Sequence, residues 1–179
     1  TVQTHANNIV NGGRFEGALA GNETNFWCVD SQLLTSPPQS NLANIHLLNN
    51  LSATQTQYGN VTGAGWTNNL GAGLDTADVR YAMAAHLVLQ YSSMYNITNN
   101  TSNQNIQKAI WAIIHNNTQS GGTSGITGNV ATVGSIAYWV QQAVDNYSSV
   151  DLTKWAVVSW TANANGDLLA GRQTFLVQV

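Results

Sequence analysis

The spacing of hydrophobic residues changes twice along the chain and divides it into three parts. Near the start, Arg14 to Leu19 alternates like a strand, and Phe26 to Asp30 is dense in β-forming residues. Near the end, Trp155 to Thr161 and Arg172 to Val179 have the same character, and Asn165-Gly166 supplies a hairpin turn between them. These patterns predict β-structure at both ends of the chain.

The middle of the chain has helical spacing instead. We expect a first helix that begins after Asp75 or Thr76 and runs to about Tyr95. A second helix begins at Ser102 or Asn103 and is amphipathic, and a third covers about Val133 to Tyr147. The apolar side of the second helix consists of Ile106, Ala109, Ile110, Ile113 and Ile114.

The order of these elements predicts an α+β fold. We expect an antiparallel β-sandwich or barrel-like core built from the N- and C-terminal segments, with a helical subdomain inserted between them. Residues 1–179 would form a single domain that is β-rich over 1–60 and 150–179 and mainly helical over 75–148. Further short strands are expected around Asn44 to Leu48 and Gln55 to Tyr58.

Composition narrows the function. Only 7% of the 179 residues are charged, whereas soluble domains average about a quarter. The 43% hydrophobic content and six Trp exclude a disordered polyelectrolyte. With five Lys and Arg in total and a net charge of −3, the chain lacks the excess of positive charge that is typical of nucleic-acid-binding proteins. No apolar run approaches the roughly 18 residues of a membrane helix, and the Asn- and Thr-rich composition indicates a secreted or cell-surface protein.

Conventional catalytic chemistry has little support. Cys28 is the sole cysteine, so an internal disulfide is excluded, and it is either a small buried hydrophobe or a reactive group. No paired ligands predict a metal site, and no phosphate-binding loop predicts a cofactor. A Cys–His hydrolase that combines Cys28 with His86 or His115 stays open. The four histidines are far apart in sequence: His5, His46, His86 and His115.

Three short segments carry a more specific signal. Phe26 to Asp30 places aromatic and aliphatic residues around Cys28, Ile106 to Trp111 is a Gln-x-Ala-Ile-Trp stretch on a helix, and Gln173 to Val177 is a Gln followed by apolar residues. In their order and placement they resemble the thioester domains of bacterial surface adhesins. The resemblance spans residues 26–177. It departs from the family at Ile106, where Thr or Gln is preferred, and at Trp27, where smaller aromatics are common.

The resemblance implies a covalent bond between the Cys28 sulfur and the Gln173 side-chain carbonyl. Gln107 would support that carbonyl or organise the pocket, and His115 is a candidate proton acceptor. Water must be kept away from such a bond until a partner arrives. The expected apolar shield consists of Phe26, Trp27, Trp111 and Phe175.

The function that follows from the resemblance is single-turnover acyl transfer, without cofactor or metal, rather than enzymatic turnover. A Lys amine or a hydroxyl on a host or environmental surface would attack Gln173 and release the Cys28 thiol. We expect a monomeric domain within a longer extracellular surface protein, anchored by regions outside this chain. The alternatives are a non-covalent module that binds glycans or proteins, in which Cys28 is inert, and the Cys–His hydrolase.

Overall fold

The described part of the computed structural model is a mixed α+β structure, which confirms the predicted class. It comprises residues 2–4, 14–29, 39–52, 55–56, 70, 73–74, 76–91, 101–114, 126, 128–161 and 174–179. Strands lie in the first 47 residues and from residue 155 onward, and the three α-helices of the described residues lie between them. Whether residues 1–179 form a single domain stays a prediction.

The strands of the described residues form one seven-stranded sheet in which every neighbouring pair is antiparallel. Their order across the sheet is β4-β1-β2-β3-β7-β6-β5. In chain order the strands are β1 (Val2–Thr4), β2 (Arg14–Leu19), β3 (Asn22–Cys28), β4 (Gln39–Asn41), β5 (Ala43–Leu47), β6 (Trp155–Trp160) and β7 (Phe175–Gln178).

A two-residue turn joins β2 to β3. Ala20 and Gly21 have φ angles of +52° and +92°, the left-handed conformation that tight hairpins require at both central positions. Because the turn is so short, β3 begins at Asn22, four residues before the predicted start at Phe26. The predicted strand Arg14–Leu19 is confirmed.

The last strand inserts between strands from distant parts of the sequence. β7 pairs with β3 on one side and with β6 on the other. The predicted strands at Trp155 and around Asn44 are confirmed as β6 and β5. Gln55 and Thr56 are not in a strand, because a 3₁₀-type turn occupies that position.

The two outer strands of the sheet, β4 and β5, follow one another in the chain with only Leu42 between them. The Leu42 carbonyl accepts a hydrogen bond from the Thr161 N–H over 3.1 Å. No hydrogen-bonded ladder joins β4 to β5 among the described residues. The sheet is therefore not closed by hydrogen bonds, and a sandwich or barrel-like core stays a prediction.

The helices cover one face of the sheet. They are α1 (Ala77–Val88), α2 (Thr101–Ile114) and α3 (Ile136–Asn146). The apolar side predicted for α2 is confirmed, since all five of its residues are fully buried. Ser135 caps α3, where its hydroxyl accepts a hydrogen bond from the Tyr138 N–H over 3.0 Å. No helix in the described part of the chain is long and apolar enough to cross a membrane.

The first helix is shorter than predicted. It ends at Val88, and the next three residues donate backbone hydrogen bonds three positions back, as in a 3₁₀ turn. The Tyr91 N–H, for example, bonds to the Val88 carbonyl over 3.3 Å. Tyr91 thus follows the helix rather than lying within it, and the predicted end at Tyr95 falls outside the described residues.

The two faces of the sheet bury separate hydrophobic clusters. The first, called here the helical core, unites the inner sides of the helices with alternate residues of the central strands, such as Val157 and Leu176. The second lies on the opposite face and is called here the Cys28 cluster. It consists of Phe15, Phe26, Cys28, Ala156, Val158, Trp160, Phe175 and Val177.

Candidate functional site

Cys28 is the last residue of β3 and is completely buried. Alternation along the strand puts its side chain in the Cys28 cluster with Phe26, two residues earlier. Because Cys28 is the sole cysteine of the chain, an intrachain disulfide cannot form. The site is thus a thiol-bearing residue in an apolar, water-poor environment.

Phe175 lies directly opposite Cys28 in the ladder between β3 and β7. Its ring is the centre of an aromatic group, with ring centroids at 5.5 Å from Phe15, 5.8 Å from Phe26 and 6.1 Å from Trp160. All three pairs have the edge-to-face geometry that aromatic quadrupoles favour. These contacts fix the side chain that faces Cys28 across the two strands.

Gln107 reaches the same place from α2. Its side-chain Nε2 donates a buried hydrogen bond of 2.9 Å to the backbone carbonyl oxygen of Cys28. Gln107 is only 1% exposed, on a helix whose other buried residues include Ile106 and Ile110. A buried amide needs partners for both its ends, and one end is used on the Cys28 carbonyl.

The other end of the Gln107 amide is bound by Tyr91. The Tyr91 hydroxyl donates to Gln107 Oε1 over 2.7 Å. The predicted first helix, which runs to about Tyr95, includes Tyr91, and its apolar spacing does not predict this contact. The signal that identifies it is spatial, because Tyr91 and Gln107 are 16 residues apart and lie on different elements.

The peptide group after Cys28 is held on its other side by β7. The Val29 N–H donates to the Thr174 carbonyl over 3.3 Å, one residue beyond the last paired position of the strands. The carbonyl of this peptide accepts from Gln107, and its N–H donates to Thr174, the residue directly before β7. The peptide that follows the cysteine is therefore fixed by both of its polar groups.

The predicted aromatic shield divides between the two faces of the sheet. Phe26 and Phe175 belong to the Cys28 cluster, and Trp111 of α2 packs against that cluster while partly exposed. Trp27 points the other way and packs against the helical core, with its ring centroid 5.6 Å from that of Trp155. The structure therefore brings three of the four aromatic residues to Cys28 and places Trp27 elsewhere.

Two predicted site residues, Gln173 and His115, lie outside the described residues. His86 of the hydrolase alternative lies in the last turn of α1, and desolvation by burial lowers its pKa below the ordinary value. Burial likewise lowers the pKa of His46 on β5. Both imidazoles are thus biased toward the neutral form.

Among the described residues, neither a metal-ligand cluster nor either of two surface cavities coincides with the candidate site. Within the described ranges, no three His, Cys, Asp or Glu side chains come together as a metal would need. A surface cavity of about 160 Å³ lies between α1 and the turn after α3, with Asp78 and Tyr147 in its wall. A second, of about 220 Å³, lies on the β2–β3 hairpin beside Glu16 and Glu23. Their linings contain none of the predicted site residues.

The arrangement thus consists of a buried cysteine, an aromatic group around it and a glutamine that binds its carbonyl. No protein-family model, no curated protein and no solved structure with which the chain was compared matches it.

Proposed function

We propose that this chain is a thioester domain, in which the Cys28 sulfur and the Gln173 side-chain carbonyl form an internal covalent bond that is later transferred to a target. The observation that carries the proposal is the hydrogen bond from Gln107 to the Cys28 carbonyl. It joins Gln107, in the central of the three motifs that resemble the family, to Cys28 in the first motif. Nothing in the apolar packing of α2 alone requires a glutamine at that position.

The pairing of β3 with β7 supports the third motif. Cys28 faces Phe175, and Val29 bonds to Thr174. Gln173 is joined to Thr174 by a peptide bond, which limits the separation of their Cα atoms to about 3.8 Å. The thioester requires in addition that the Gln173 side chain lie on the face of the sheet that carries Cys28 and reach its sulfur.

The chemistry of bond formation is an acyl exchange. The Cys28 sulfur attacks the Gln173 side-chain carbonyl carbon, a C–S bond forms, and the C–N bond breaks as ammonia leaves with the thiol proton. An amide is more stable than a thioester, so the exchange depends on two groups held in contact. The fixed peptide after Cys28 supplies one half of that contact.

The resulting electrophile needs protection from water. The Cys28 cluster provides it, because Phe26 and Phe175 are fully buried beside the cysteine and Trp111 covers the cluster from α2. Exclusion of water slows hydrolysis while a nucleophile of suitable shape is awaited. Trp27, which packs on the other face of the strand, has no part in this shield.

In the transfer step, a Lys amine or a hydroxyl of the target attacks the Gln173 carbonyl. A C–N or C–O bond forms, the C–S bond breaks, and the proton of the nucleophile passes to the Cys28 thiolate directly or through a base such as His115. The product is an amide or ester cross-link, made once per molecule. The partner is a surface ligand with such groups, and no cofactor takes part.

The proposal also includes the protein in which the domain functions and the architecture of its core. The domain would act as a monomer within a longer, bacterial cell-surface adhesin that is anchored by other regions. Its strands would form a barrel-like core, a view supported by the consecutive outer strands β4 and β5. One long strand bent at Leu42 would then pair with β1 by its first half and with β6 by its second.

Incubation with methylamine tests the proposal. The amine opens a thioester and is retained whole, so the wild-type chain becomes one methylene heavier than its sequence mass and exposes one thiol. Cys28→Ala and Gln173→Ala should take up none, whereas Gln141→Ala, an exposed glutamine on α3, should react like the wild type. Adducts in all four chains, or in none, contradict the proposal.

The same samples separate the alternatives. A non-covalent binding module with an inert cysteine also buries Cys28, but it takes up no amine and keeps its full sequence mass. A Cys–His hydrolase would instead turn over an ester substrate many times and lose that activity in Cys28→Ala.

A further inference from the structure

We infer that Tyr91 is a positioning residue for the thiol, because it heads a chain of hydrogen bonds that fixes the Cys28 peptide between α2 and β7. The effect of Tyr91 on the thioester rests on the function proposed above. The geometry of the hydrogen bonds does not depend on that function.

Three hydrogen bonds follow one another without a gap. The Tyr91 hydroxyl donates to Gln107 Oε1 over 2.7 Å, and Gln107 Nε2 donates to the Cys28 carbonyl over 2.9 Å. The N–H of the same peptide, which belongs to Val29, donates to the Thr174 carbonyl over 3.3 Å. These hydrogen bonds thus run from the turn after α1, through α2 and β3, to Thr174, which lies directly before β7 and follows Gln173.

The direction of this chain is determined by the chemistry of its groups. A peptide carbonyl only accepts, so the Gln107 amide must present its NH₂ group to Cys28. Its oxygen must then face Tyr91, and the hydroxyl hydrogen of Tyr91 is committed to that oxygen. In the flipped amide, two oxygens would face each other at Cys28, so Tyr91 stabilises the one productive orientation.

Tyr91 is itself well anchored. Its backbone N–H bonds to Val88 at the end of α1, and its ring packs against the helical core. Gln107, by contrast, is a flexible side chain with three rotatable bonds, and immobilising it has an entropic cost. A fixed hydroxyl at its far end reduces the motion of the amide that reaches Cys28. Linked hydrogen bonds also polarise and strengthen one another.

The experiment compares Tyr91→Phe with Tyr147→Phe in the full chain. Tyr147 is the matched control, because it too is a partly buried tyrosine packed against the helical core. The first readout is amide hydrogen exchange of Val29, divided by that of Val157 on β6 as an internal reference within the same sheet. A general loss of stability accelerates both amides and leaves their ratio unchanged.

We expect Tyr91→Phe to raise the Val29 to Val157 exchange ratio about fivefold or more, the effect of one weakened buried hydrogen bond. Tyr147→Phe should leave the ratio unchanged. In a Gln107→Ala background, Tyr91→Phe should have no further effect, because coupled residues are non-additive. The fraction of purified chains that lack one ammonia should fall in Tyr91→Phe and stay at the wild-type level in Tyr147→Phe.

The positioning role of Tyr91 and the thioester are overturned by different results. Equal exchange ratios in both variants, or full additivity of Tyr91→Phe with Gln107→Ala, overturn the positioning role of Tyr91. A wild-type chain with an intact Cys28 thiol and Gln173 amide overturns the thioester instead. The exchange ratio still decides the role of Tyr91 in that case.

Discussion

The side chain of Gln107 binds the backbone of Cys28 across 79 residues of sequence, through a buried hydrogen bond of 2.9 Å from Nε2 to the carbonyl oxygen. The bond joins the middle of α2 to the end of β3. The bond accounts for a polar residue on the buried side of α2, and it fixes the peptide that follows the single cysteine.

Replacing Gln107 with alanine should destabilise the chain by about 1–3 kcal/mol, because the buried Cys28 carbonyl loses its partner and Tyr91 loses its acceptor. Gln141→Ala is the matched control. Its side chain bonds to Asp145 on the exposed surface of α3, and its loss should cost less than about 0.5 kcal/mol. Urea unfolding measures both values, and equal costs would show that the Gln107 bond contributes nothing.

Truncation of Phe175 should be more severe, since its ring touches three other aromatic rings in the Cys28 cluster. Removing a buried phenyl ring leaves a cavity and costs about 3–5 kcal/mol. Val179→Ala, four residues later and 55% exposed, should change stability very little. A small effect of Phe175→Ala on the urea midpoint would mean that the cluster is loosely packed.

Substitutions on the two faces of β3 should change the labelling rate of the Cys28 thiol to different extents. In a Gln173→Ala background, where no thioester can form, Cys28 should react slowly with a thiol reagent because it is buried. Phe26→Ala opens the Cys28 cluster and should accelerate labelling by at least about tenfold, because tenfold corresponds to only about 1.4 kcal/mol of the roughly 3–5 kcal/mol that removal of a buried phenyl ring costs. Trp27→Ala removes a larger ring from the other face and should accelerate it far less. Equal acceleration would refute the separation of the faces.

Much of the fold follows from local pattern, and the reasons are visible in particular elements. The apolar side of α2 was predicted residue by residue, since a buried helix face repeats with a fixed period. The strand β2 was predicted from its alternation. β3 was assigned too late in the sequence, because Asn22 and Glu23 are polar residues on a hairpin whose turn, Ala20-Gly21, takes up only two positions.

Other features depend on contacts between distant segments. β1 and β4 are three-residue strands that pair with each other, and β1 also pairs with β2; no local pattern predicts these pairings. Trp27 was placed beside the cysteine as its neighbour in sequence, although adjacent residues of a strand face opposite ways. The bond from Tyr91 to Gln107 depends on where α1 ends, which the apolar spacing did not define.

Burial of histidine predicts a dependence of stability on pH. Desolvation lowers the folded-state pKa values of His86 and His46, while the pKa of an unfolded histidine is about 6.5. Between those values the unfolded chain binds more protons than the folded one. Stability should therefore be fully present above the unfolded pKa and decline as the pH falls toward the lowered values.

Substitution of one of these histidines tests the sign. His86→Gln should reduce the decline in unfolding free energy between about pH 7.5 and pH 5, since an uncharged side chain binds no proton in either state. His46→Gln should act in the same direction. A decline that is as steep without His86 as with it would show that burial of this imidazole does not contribute.

The central claim is the bond between Cys28 and Gln173, and a digest with a lysine-specific protease tests it most directly. The chain has two lysines, Lys108 and Lys154, so cleavage places Cys28 on residues 1–108 and Gln173 on residues 155–179. The thioester predicts that freshly purified protein yields these two peptides joined, lighter by one ammonia than their combined mass. Hydrolysis during handling would separate them but leave a carboxylic acid at position 173. Two separate peptides, with an intact Gln173 amide and a Cys28 thiol, would contradict the account.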